Sequence, residues 1–505
     1  MTRRPETLGE LRRTDYRPRS VREELRHNLR RRLRAGDKLF PGVLGYDRTV
    51  IPGIVNAVLA GHDMILLGLR GQAKTRLLRS LTDLMEPEVP VLAGMELNDD
   101  PLDPISVPGR KMVAELGDKA PVEWLPREAR YNEKLATPDV SIADLLGDVD
   151  PIKAANQKLT LADPEVIHFG IVPRTNRGIF AVNELPDLAP RIQVGLLNLL
   201  EERDLQIRGF PVRIPLDILL VFSANPEDYT NRGSIITPLK DRISSQILTH
   251  YPTDVETAAA ITLQEAWLER QAENEESPVR VHLTEPARLL VEEISFAARE
   301  SEMVDQTSGV SARLSISALE LLYSNLERRA LMQGEDEVHP RLCDLHNLLP
   351  AITGKVEMVY EGEQQGAEVV ARKIIGDAVK RVFQRDYPKV DRALGSGGED
   401  DTGPYAEIVA WFAAGGQVDL SDDQSFVDYR EQLEQVPGLV EMAREHLGAG
   451  SEQDICFHAE LILDGLHQNL KLTREDLDST VSYKEMVKFQ LLRPRRTRGG
   501  GRDVN

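Results

Sequence analysis

Cysteine is nearly absent from this chain of 505 residues: only Cys343 and Cys456 occur, far apart and without C-x-x-C spacing. This argues against a disulfide framework and a structural zinc site, and it is typical of a reducing cytoplasm. The ten His residues form no HxxxH or HExxH pair, so a core or solvated role is expected for each. We expect a cytoplasmic protein without a substrate-metal site of its own.

Long apolar runs are also missing. The longest, such as MILLGL and DILLVF, have about half a dozen residues, whereas a membrane-spanning helix needs roughly 20. The first residues lack the apolar region and the cleavage site of a secretory leader. We therefore expect no membrane span and no export.

Positive charge is scarce except at one end. The net charge is −20, yet residues 1–36 hold twelve Arg and five acidic residues, which leaves about −27 for the remainder. The body of the protein is expected to repel nucleic acid, whereas the arm is not.

The arm itself has the pattern of one amphipathic helix. Ser20 and Glu23 have capping-box spacing, an apolar stripe follows at Leu25, Leu29 and Leu33, and Gly36 is a stop signal. It is either an arm for phosphate or an acidic partner, or a helix docked on the acidic body by its Leu stripe. We favour docking, because runs of charge are usually solvated faces.

Apolar strands alternate with helices over residues 41–90 and 170–250, which predicts an α/β fold with a parallel sheet covered on both faces. Residues 254–350 have a helical pattern throughout. The predicted domains are a basic helical arm (1–37), an α/β domain (38–253) with an insert at about 95–170, a helical lid (254–350), a helical C-terminal region (355–490) and a disordered basic tail (491–505).

A phosphate-binding loop is predicted at GLRGQAKT, residues 68–75, which follows an apolar strand and precedes a helix. Its backbone N–H groups and the start of the helix are expected to surround the phosphates of ATP, with Lys74 on the outer phosphates and Thr75 on Mg²⁺. The ATP-binding residues predicted are Gly68, Leu69, Arg70, Gly71, Gln72, Ala73, Lys74 and Thr75. Ala73 replaces the usual Gly, and a helical backbone is expected there, which makes this a mild departure.

The strand GIFAVNE ends in Asn183–Glu184, where such ATPases normally have Asp-Glu. Glu184 is the predicted general base for the attacking water, and Asn183 joins Thr75 as a predicted contributor to the metal site. Asn225, at the end of the strand in FSANPED, is predicted to hold the same water. Arg242 is predicted to pair with a phosphate oxygen of ATP. Because arginine keeps its charge, it can stabilise the transition state across a subunit boundary.

Taken in order, these motifs resemble those of the AAA+ ATPases. Within that group, VIHFGIVPRTNRGIFAVNELPDL resembles the segment that carries the helix-2 insert of the magnesium-chelatase I-subunit and MoxR families, and EERDLQIRGFPVRIPLD resembles their pre-sensor hairpin around Arg208–Gly209. GVSARLS resembles their sensor-2 signature and nominates Arg313 as a catalytic residue. The resemblance covers roughly residues 38–350.

The resemblance implies a ring, commonly a hexamer, with ATP at subunit interfaces, Arg242 acting on the neighbour's nucleotide and Arg313 also able to act in trans. It further implies a partner protein with a von Willebrand A domain, whose remodelling would use the ATP. A literal role in inserting Mg²⁺ into a porphyrin is a narrower version of this hypothesis.

Two alternatives remain open at the sequence level. A non-hydrolysing, ATP-gated scaffold would explain Asn183 and the long helical C-terminal region. A nucleic-acid motor would use the Arg-rich arm and the basic tail, but the acidic body disfavours it, and no zinc or aromatic-basic module is recognisable.

Overall fold

The structure is a computed structural model that describes residues 4–150, 152, 156, 166–206, 213–226, 234–270, 279–390, 403–447, 450–477 and 480–486. The chain divides into two units. Unit 1 consists of Met1–Ala260 and Thr307–Ala312, and unit 2 of Ile261–Gln306 and Arg313–Asn505. The domain boundaries suggested by the sequence stay predictions.

Unit 1 is built on a five-stranded parallel sheet, which confirms the predicted fold class. In spatial order its strands are β11 (Ser245–Leu248), β1 (Met64–Leu67), β10 (Ile218–Ala224), β7 (Gly178–Asn183) and β4 (Tyr131–Leu135). Since the five strands are parallel, their carboxyl ends meet at one edge of the sheet.

Apolar side chains cover both faces of this sheet. In β1, Ile65 and Leu67 pack in one core cluster, whereas Met64 and Leu66 pack in the other. Alternation of this kind requires every position of a strand to be apolar, because successive side chains point to opposite faces. The runs MILL and ILLVF are therefore the direct sequence cause of the buried parallel sheet.

Unit 1 also contains three antiparallel strand pairs outside the five-stranded sheet. They join β2 (Glu88–Leu92) to β3 (Val122–Pro126), β5 (Gly147–Val149) to β6 (Ile167–Phe169), and β8 (Asp204–Gln206) to β9 (Arg213–Pro215). The last pair is the predicted pre-sensor hairpin. Arg208 and Gly209, at its predicted tip, lie outside the described residues.

The helices of unit 1 have four to 15 residues. They are α1 (Leu8–Arg12), α2 (Val21–Ala35), α3 (Val50–Ala60), α4 (Lys74–Ser80), α5 (Val107–Leu116), α6 (Ile142–Leu145), α7 (Ile171–Arg174), α8 (Pro190–Gly195), α9 (Leu197–Glu201), α10 (Thr237–Arg242) and α11 (Val255–Glu265), whose last residues belong to unit 2. Short 3₁₀ segments lie at Leu81–Leu84, Gly117–Lys119, Arg127–Arg130 and Leu185–Asp187.

Helix α2 is the predicted arm helix, and the structure confirms that it docks. Ser20 and Glu23 form the capping box, and Gly36 ends the helix with φ 74°. Val21, Leu25 and Leu29 are buried in the same core cluster as Met64 of β1. Leu33, in contrast, is 45% exposed. Two of the three leucines of the predicted stripe, Leu25 and Leu29, therefore pack inside unit 1.

Unit 2 is mostly helical. Its helices are α12 (Glu285–Glu300), α13 (Arg313–Gln333), α14 (Leu349–Thr353), α15 (Tyr360–Gln365), α16 (Ala367–Asp386), α17 (Ala406–Ala413), α18 (Phe426–Glu434), α19 (Leu439–Leu447) and α20 (Glu452–Gln468), with a 3₁₀ segment at Leu342–Leu348. Among the described residues, no helix is long and apolar enough to cross a membrane.

Unit 2 also contains strands, which the helical interpretation missed both in the predicted lid (254–350) and in the C-terminal region (355–490). Strand β12 (Arg280–Val281) pairs in parallel with β13 (Glu337–Val338). An antiparallel sheet has the order β14 (Val418–Ser421), β16 (Thr480–Glu485) and β15 (Leu472–Leu477). Charged residues interrupt LTREDL and TVSYKE, which makes their alternation hard to recognise. The basic tail, residues 491–505, lies outside the described residues.

Candidate nucleotide-binding site

The predicted phosphate loop lies at the carboxyl edge of the parallel sheet. It follows Leu67, the last residue of β1, and runs into α4, which begins at Lys74. Asn183 ends β7 and Ala224 ends β10 at the same edge. Parallel pairing therefore brings together three segments whose contacting residues are 39 to 151 positions apart in the sequence.

Two positions of the loop accept only glycine. A Cβ atom on Gly68 would lie 1.9 Å from Oγ1 of Thr249 and 2.1 Å from Oε1 of Gln72. Gly71 has φ 77°, and a Cβ atom there would lie 2.2 Å from Oγ of Ser311. Any side chain at either position would displace the groups that pack against the loop.

The backbone at Ala73 corrects the sequence interpretation. A helical conformation was expected there, but Ala73 has φ 54° and ψ 20°, in the left-handed region. A Cβ atom disfavours this region, which is why glycine is usual at such a position. The alanine is therefore a strained substitution, not a mild one.

Lys74 is 7% exposed and lies folded against the loop. Its Nζ donates to the backbone oxygen of Leu69 at 3.0 Å, to that of Gly68, and to Oδ1 of Asn225 at 3.1 Å. The ammonium group of Lys74 therefore lies among carbonyl oxygens at the mouth of the loop. The structure thus brings two predicted site residues, Lys74 and Asn225, into direct contact.

The side-chain carbonyl oxygen of Asn183 accepts hydrogen bonds from two hydroxyl groups. Oγ1 of Thr75 donates to Oδ1 of Asn183 at 3.4 Å, and Oγ of Ser223 donates to the same oxygen at 3.1 Å. Ser223 also accepts the backbone N–H of Glu184 at 3.3 Å. Thr75, Asn183 and Glu184 are therefore held in one hydrogen-bonded group through Ser223, which the sequence interpretation did not single out.

Glu184 has an unusual backbone for a non-glycine residue, with φ 54° and ψ 51°. Left-handed backbone of this kind is uncommon outside glycine, and it concentrates at functional sites, where the surrounding structure maintains it. Here the Ser223 contact and the buried strand β7 fix the residue.

Four residues that the sequence interpretation missed form hydrogen bonds with the loop. They are Tyr46, Tyr251, Thr249 and Ser308. The hydroxyl of Tyr46 lies 3.0 Å from the backbone oxygen of Gln72, and that of Tyr251 donates to the oxygen of Arg70 at 2.9 Å. In addition, Thr249 donates to Oε1 of Gln72 at 2.6 Å, and Nε of Arg70 donates to the backbone oxygen of Ser308 at 3.0 Å.

Burial raises the pKa of Tyr46 to about 12, so its hydroxyl stays a donor at neutral pH. No sequence signal marks these supporting residues, because each is an ordinary polar residue that becomes relevant only through long-range packing.

Arg242 is not part of this cluster within one chain. Its guanidinium donates to Oε2 of Glu201 at 2.6 and 2.8 Å and to the backbone oxygen of Pro238 at 3.0 Å. Arg242 precedes Ser245, which pairs with Met64 at the amino end of β1, whereas the loop follows Leu67 at the carboxyl end. The two lie toward opposite edges of the sheet.

Arg313 is exposed and begins helix α13 in unit 2. The preceding residues, Thr307–Ala312, belong to unit 1, and Ser311 in that segment packs against Gly71. The sensor-2 role of Arg313 stays a prediction.

The residues present fit a bound ATP and a magnesium ion. The loop leaves no room for side chains at Gly68 and Gly71, the ammonium of Lys74 faces the loop, and a hydroxyl and an amide oxygen meet at Thr75 and Asn183. Oxygen donors of this kind suit Mg²⁺, and a glycine-rich turn before a helix suits phosphate.

The chain is similar to known proteins over part of its length. No family model matches the chain. It is 25% identical over 245 residues to the magnesium-chelatase subunit ChlI of Nostoc sp., which covers 47% of this chain and 60% of that protein. It is 28% identical over 214 residues to the chloroplastic subunit ChlI-1 of Arabidopsis thaliana, covering 40% and 46%. The chain thus spans about half the length of the curated relatives it matches.

Among solved structures, one similar to the chain is a complex between subunits BchI and BchD of magnesium chelatase. The identity is 18%, the match covers 65% of this chain and 98% of that one, and the TM-score is 0.34. A TM-score of this size supports no functional conclusion.

Proposed function

We propose that this chain, an AAA+ protein related to the magnesium-chelatase I subunits, binds ATP with Mg²⁺ and hydrolyses it to drive a change in a partner protein. The observation that carries the proposal is the contact of Lys74 with Asn225, next to the hydrogen-bonded group of Thr75, Asn183 and Glu184. One loop and two strand ends supply this arrangement.

The roles of these residues follow from their chemistry. Lys74 neutralises charge on the outer phosphates once its ammonium leaves the carbonyl oxygens of the loop. Glu184 accepts a proton from the attacking water, and Asn225 orients that water through its amide. Mg²⁺, when bound, neutralises charge on the phosphate oxygens.

Asn183 bears on how strongly the metal is held. An aspartate there would add a charge worth up to about 4 kcal/mol at about 4 Å and an effective dielectric of about 20. Asn183 lacks this charge but keeps a carbonyl oxygen, which already accepts from Thr75 and Ser223. We therefore propose genuine but slow hydrolysis with a raised demand for magnesium.

The decisive experiment is steady-state phosphate release by wild type, Lys74→Ala and Glu184→Gln. Glu184→Gln is expected to bind ATP and to lose about 10²- to 10⁴-fold in turnover, because it lacks the general base. Lys74→Ala is expected to lose ATP binding. Glu202→Gln, which changes an exposed carboxylate of the same unit, is the matched control. Unchanged turnover in Glu184→Gln would refute the base assignment.

A second variant tests the metal argument. Asn183→Asp is expected to lower the magnesium concentration at half-maximal turnover several-fold, because it restores the missing charge. The measurement is a magnesium titration of phosphate release at saturating ATP. An unchanged or higher magnesium requirement would contradict this account of Asn183.

Asn183 also favours the competing hypothesis of an ATP-gated scaffold. That hypothesis predicts ATP binding by wild type with phosphate release no faster than in Lys74→Ala. The same assay therefore separates the two hypotheses.

We further propose that the protein assembles into a ring, commonly a hexamer, and that its partner carries a von Willebrand A domain. The family resemblance supports both statements. A role in metal insertion is the narrower form of this proposal. Capture of partners with the ATP-retaining Glu184→Gln protein, compared with Lys74→Ala, tests it.

A further inference from the structure

Two histidines and a glutamate meet on the parallel strand pair of unit 2. The ring centroids of His282 and His339 are 4.6 Å apart with an interplanar angle of 11°, and Nε2 of His282 lies 3.6 Å from Oε2 of Glu337. One ligand atom from each of the three residues lies within 4.8 Å of the others. No spacing motif predicts this group, because 54 residues separate His282 from Glu337.

The strand register explains why the three side chains meet. Arg280 pairs with Glu337 and Val281 with Val338, so His282 comes next to His339. The N–H of His282 donates to the oxygen of Val338 at 2.9 Å and extends the pairing by one residue. Because alternate residues share a face of a strand, Glu337 and His339 point to the same side.

We propose that His282, His339 and Glu337 form a binding site for a divalent transition-metal ion of the Zn²⁺ class. Two imidazole nitrogens and one carboxylate oxygen match the donor set that Zn²⁺ takes when three protein ligands leave one position open to water. Imidazole donors favour Zn²⁺ and its neighbours over Mg²⁺. This site is independent of the proposed nucleotide site in unit 1.

The state of His339 supports this assignment. Its Nδ1 atom is buried and has no hydrogen-bond partner among the described residues, although a buried polar atom normally has one. A metal ion would satisfy such a nitrogen.

The other two ligands have the freedom to close around an ion. The side chains of His282 and Glu337 are 45% and 48% exposed, so both can move. The three ligand atoms lie within 4.8 Å of one another. Ligand atoms about 2.1 Å from a tetrahedral Zn²⁺ lie roughly 3.4 Å apart, so no two of them have to approach by more than about 1.4 Å.

Arg280 is compatible with the ion, because it pairs with Oε1 of Glu337, whereas Oε2 faces His282. A hydrogen-bonded partner behind a ligating carboxylate is a common second element of metal sites.

At this position, a bound ion would stabilise the connection between two helices of unit 2. Strand β12 leads into helix α12, and β13 follows helix α13. Only two register pairs join the strands. An ion held by His282 on one side and by Glu337 and His339 on the other would tie the start of α12 to the end of α13.

The test is a Co²⁺ titration of the chelator-treated, nucleotide-free full chain, followed by visible absorption and by displacement with Zn²⁺. Wild type is expected to bind one Co²⁺ per chain, and Zn²⁺ is expected to raise its melting temperature. His282→Ala and His339→Ala are each expected to lose tenfold or more in affinity. His27→Ala, which removes an exposed histidine of α2, is the matched control.

The outcomes separate this site from other metal binding. Lys74→Ala is expected to bind Co²⁺ as wild type does, so failure of the proposed nucleotide site leaves this result unchanged. Cys343 and Cys456 are buried and do not compete. Absence of Co²⁺ binding, or equal binding by wild type and His282→Ala, would overturn the proposal. Because His282 is exposed, its variant decides the question even if His339→Ala fails to fold.

Discussion

At the scale of single residues, the predicted phosphate loop carries strain at Ala73. Its φ of 54° is the conformation that glycine adopts freely and that costs another residue about 1 kcal/mol. Glu184, with the same φ of 54°, holds a second strained backbone at the end of β7. Both residues lie in the predicted ATP site, which is where such strain is usually stored.

Ala73→Gly is expected to raise the free energy of unfolding of unit 1 by about 1 kcal/mol, because it removes the Cβ penalty. The measurement is chemical denaturation without nucleotide. The matched control is Ala114→Gly on the exposed side of helix α5, which is expected to lower the free energy of unfolding by about 0.5–1 kcal/mol. Destabilisation by both substitutions would show that Ala73 is unstrained.

At the scale of elements, helix α2 closes one face of the sheet. Its Leu stripe enters the core, and its Arg22 pairs with Asp63 at 2.6 Å. Asp63 is fully buried and also pairs with Arg203 at 2.6 Å. Arg22 of this basic arm therefore serves the fold, which reduces the charge available for an acidic partner or nucleic acid.

Two leucines of α2 provide a matched test of docking. Leu29→Ala is expected to lower the free energy of unfolding by about 2–5 kcal/mol, because Leu29 is fully buried. Leu33→Ala, at 45% exposure, is expected to change it by less than about 0.5 kcal/mol. Denaturant unfolding measures both, and similar values for the two variants would contradict docking by the stripe.

At the scale of the whole molecule, the position of Arg242 bears on assembly. Arg242 precedes the amino end of β11, whereas Lys74 follows the carboxyl end of β1. The amino and carboxyl edges of the sheet are therefore separated by the length of a strand, about 10 Å. An arginine that acts on ATP from this position would serve a neighbouring subunit. In the single chain, Glu201 neutralises its charge.

Mixing two inactive variants tests this arrangement. Lys74→Ala and Arg242→Ala are each expected to release little phosphate, but an equimolar mixture is expected to exceed the sum of the two. Lys74→Ala subunits would supply Arg242 to the intact loops of their neighbours. Mixing Arg242→Ala with the double variant is the control without recovery, and no recovery in either mixture would refute action in trans.

The sequence by itself determined the features that depend on neighbours along the chain. Apolar runs such as MILL specify strands buried on both faces, the capping box and Gly36 bound α2, and the motif at Gly68, Gly71 and Lys74 marks the loop. These signals are local because each reflects the backbone geometry of a few consecutive residues.

Only the tertiary structure decided the features that depend on distant parts of the chain. It set the left-handed backbone of Ala73, placed Tyr46 and Thr249 behind the loop, and brought His282 to His339. Their roles arise from contacts between residues up to 177 positions apart, and the residue types involved are common elsewhere in the chain. Spacing in the sequence therefore carries no trace of them.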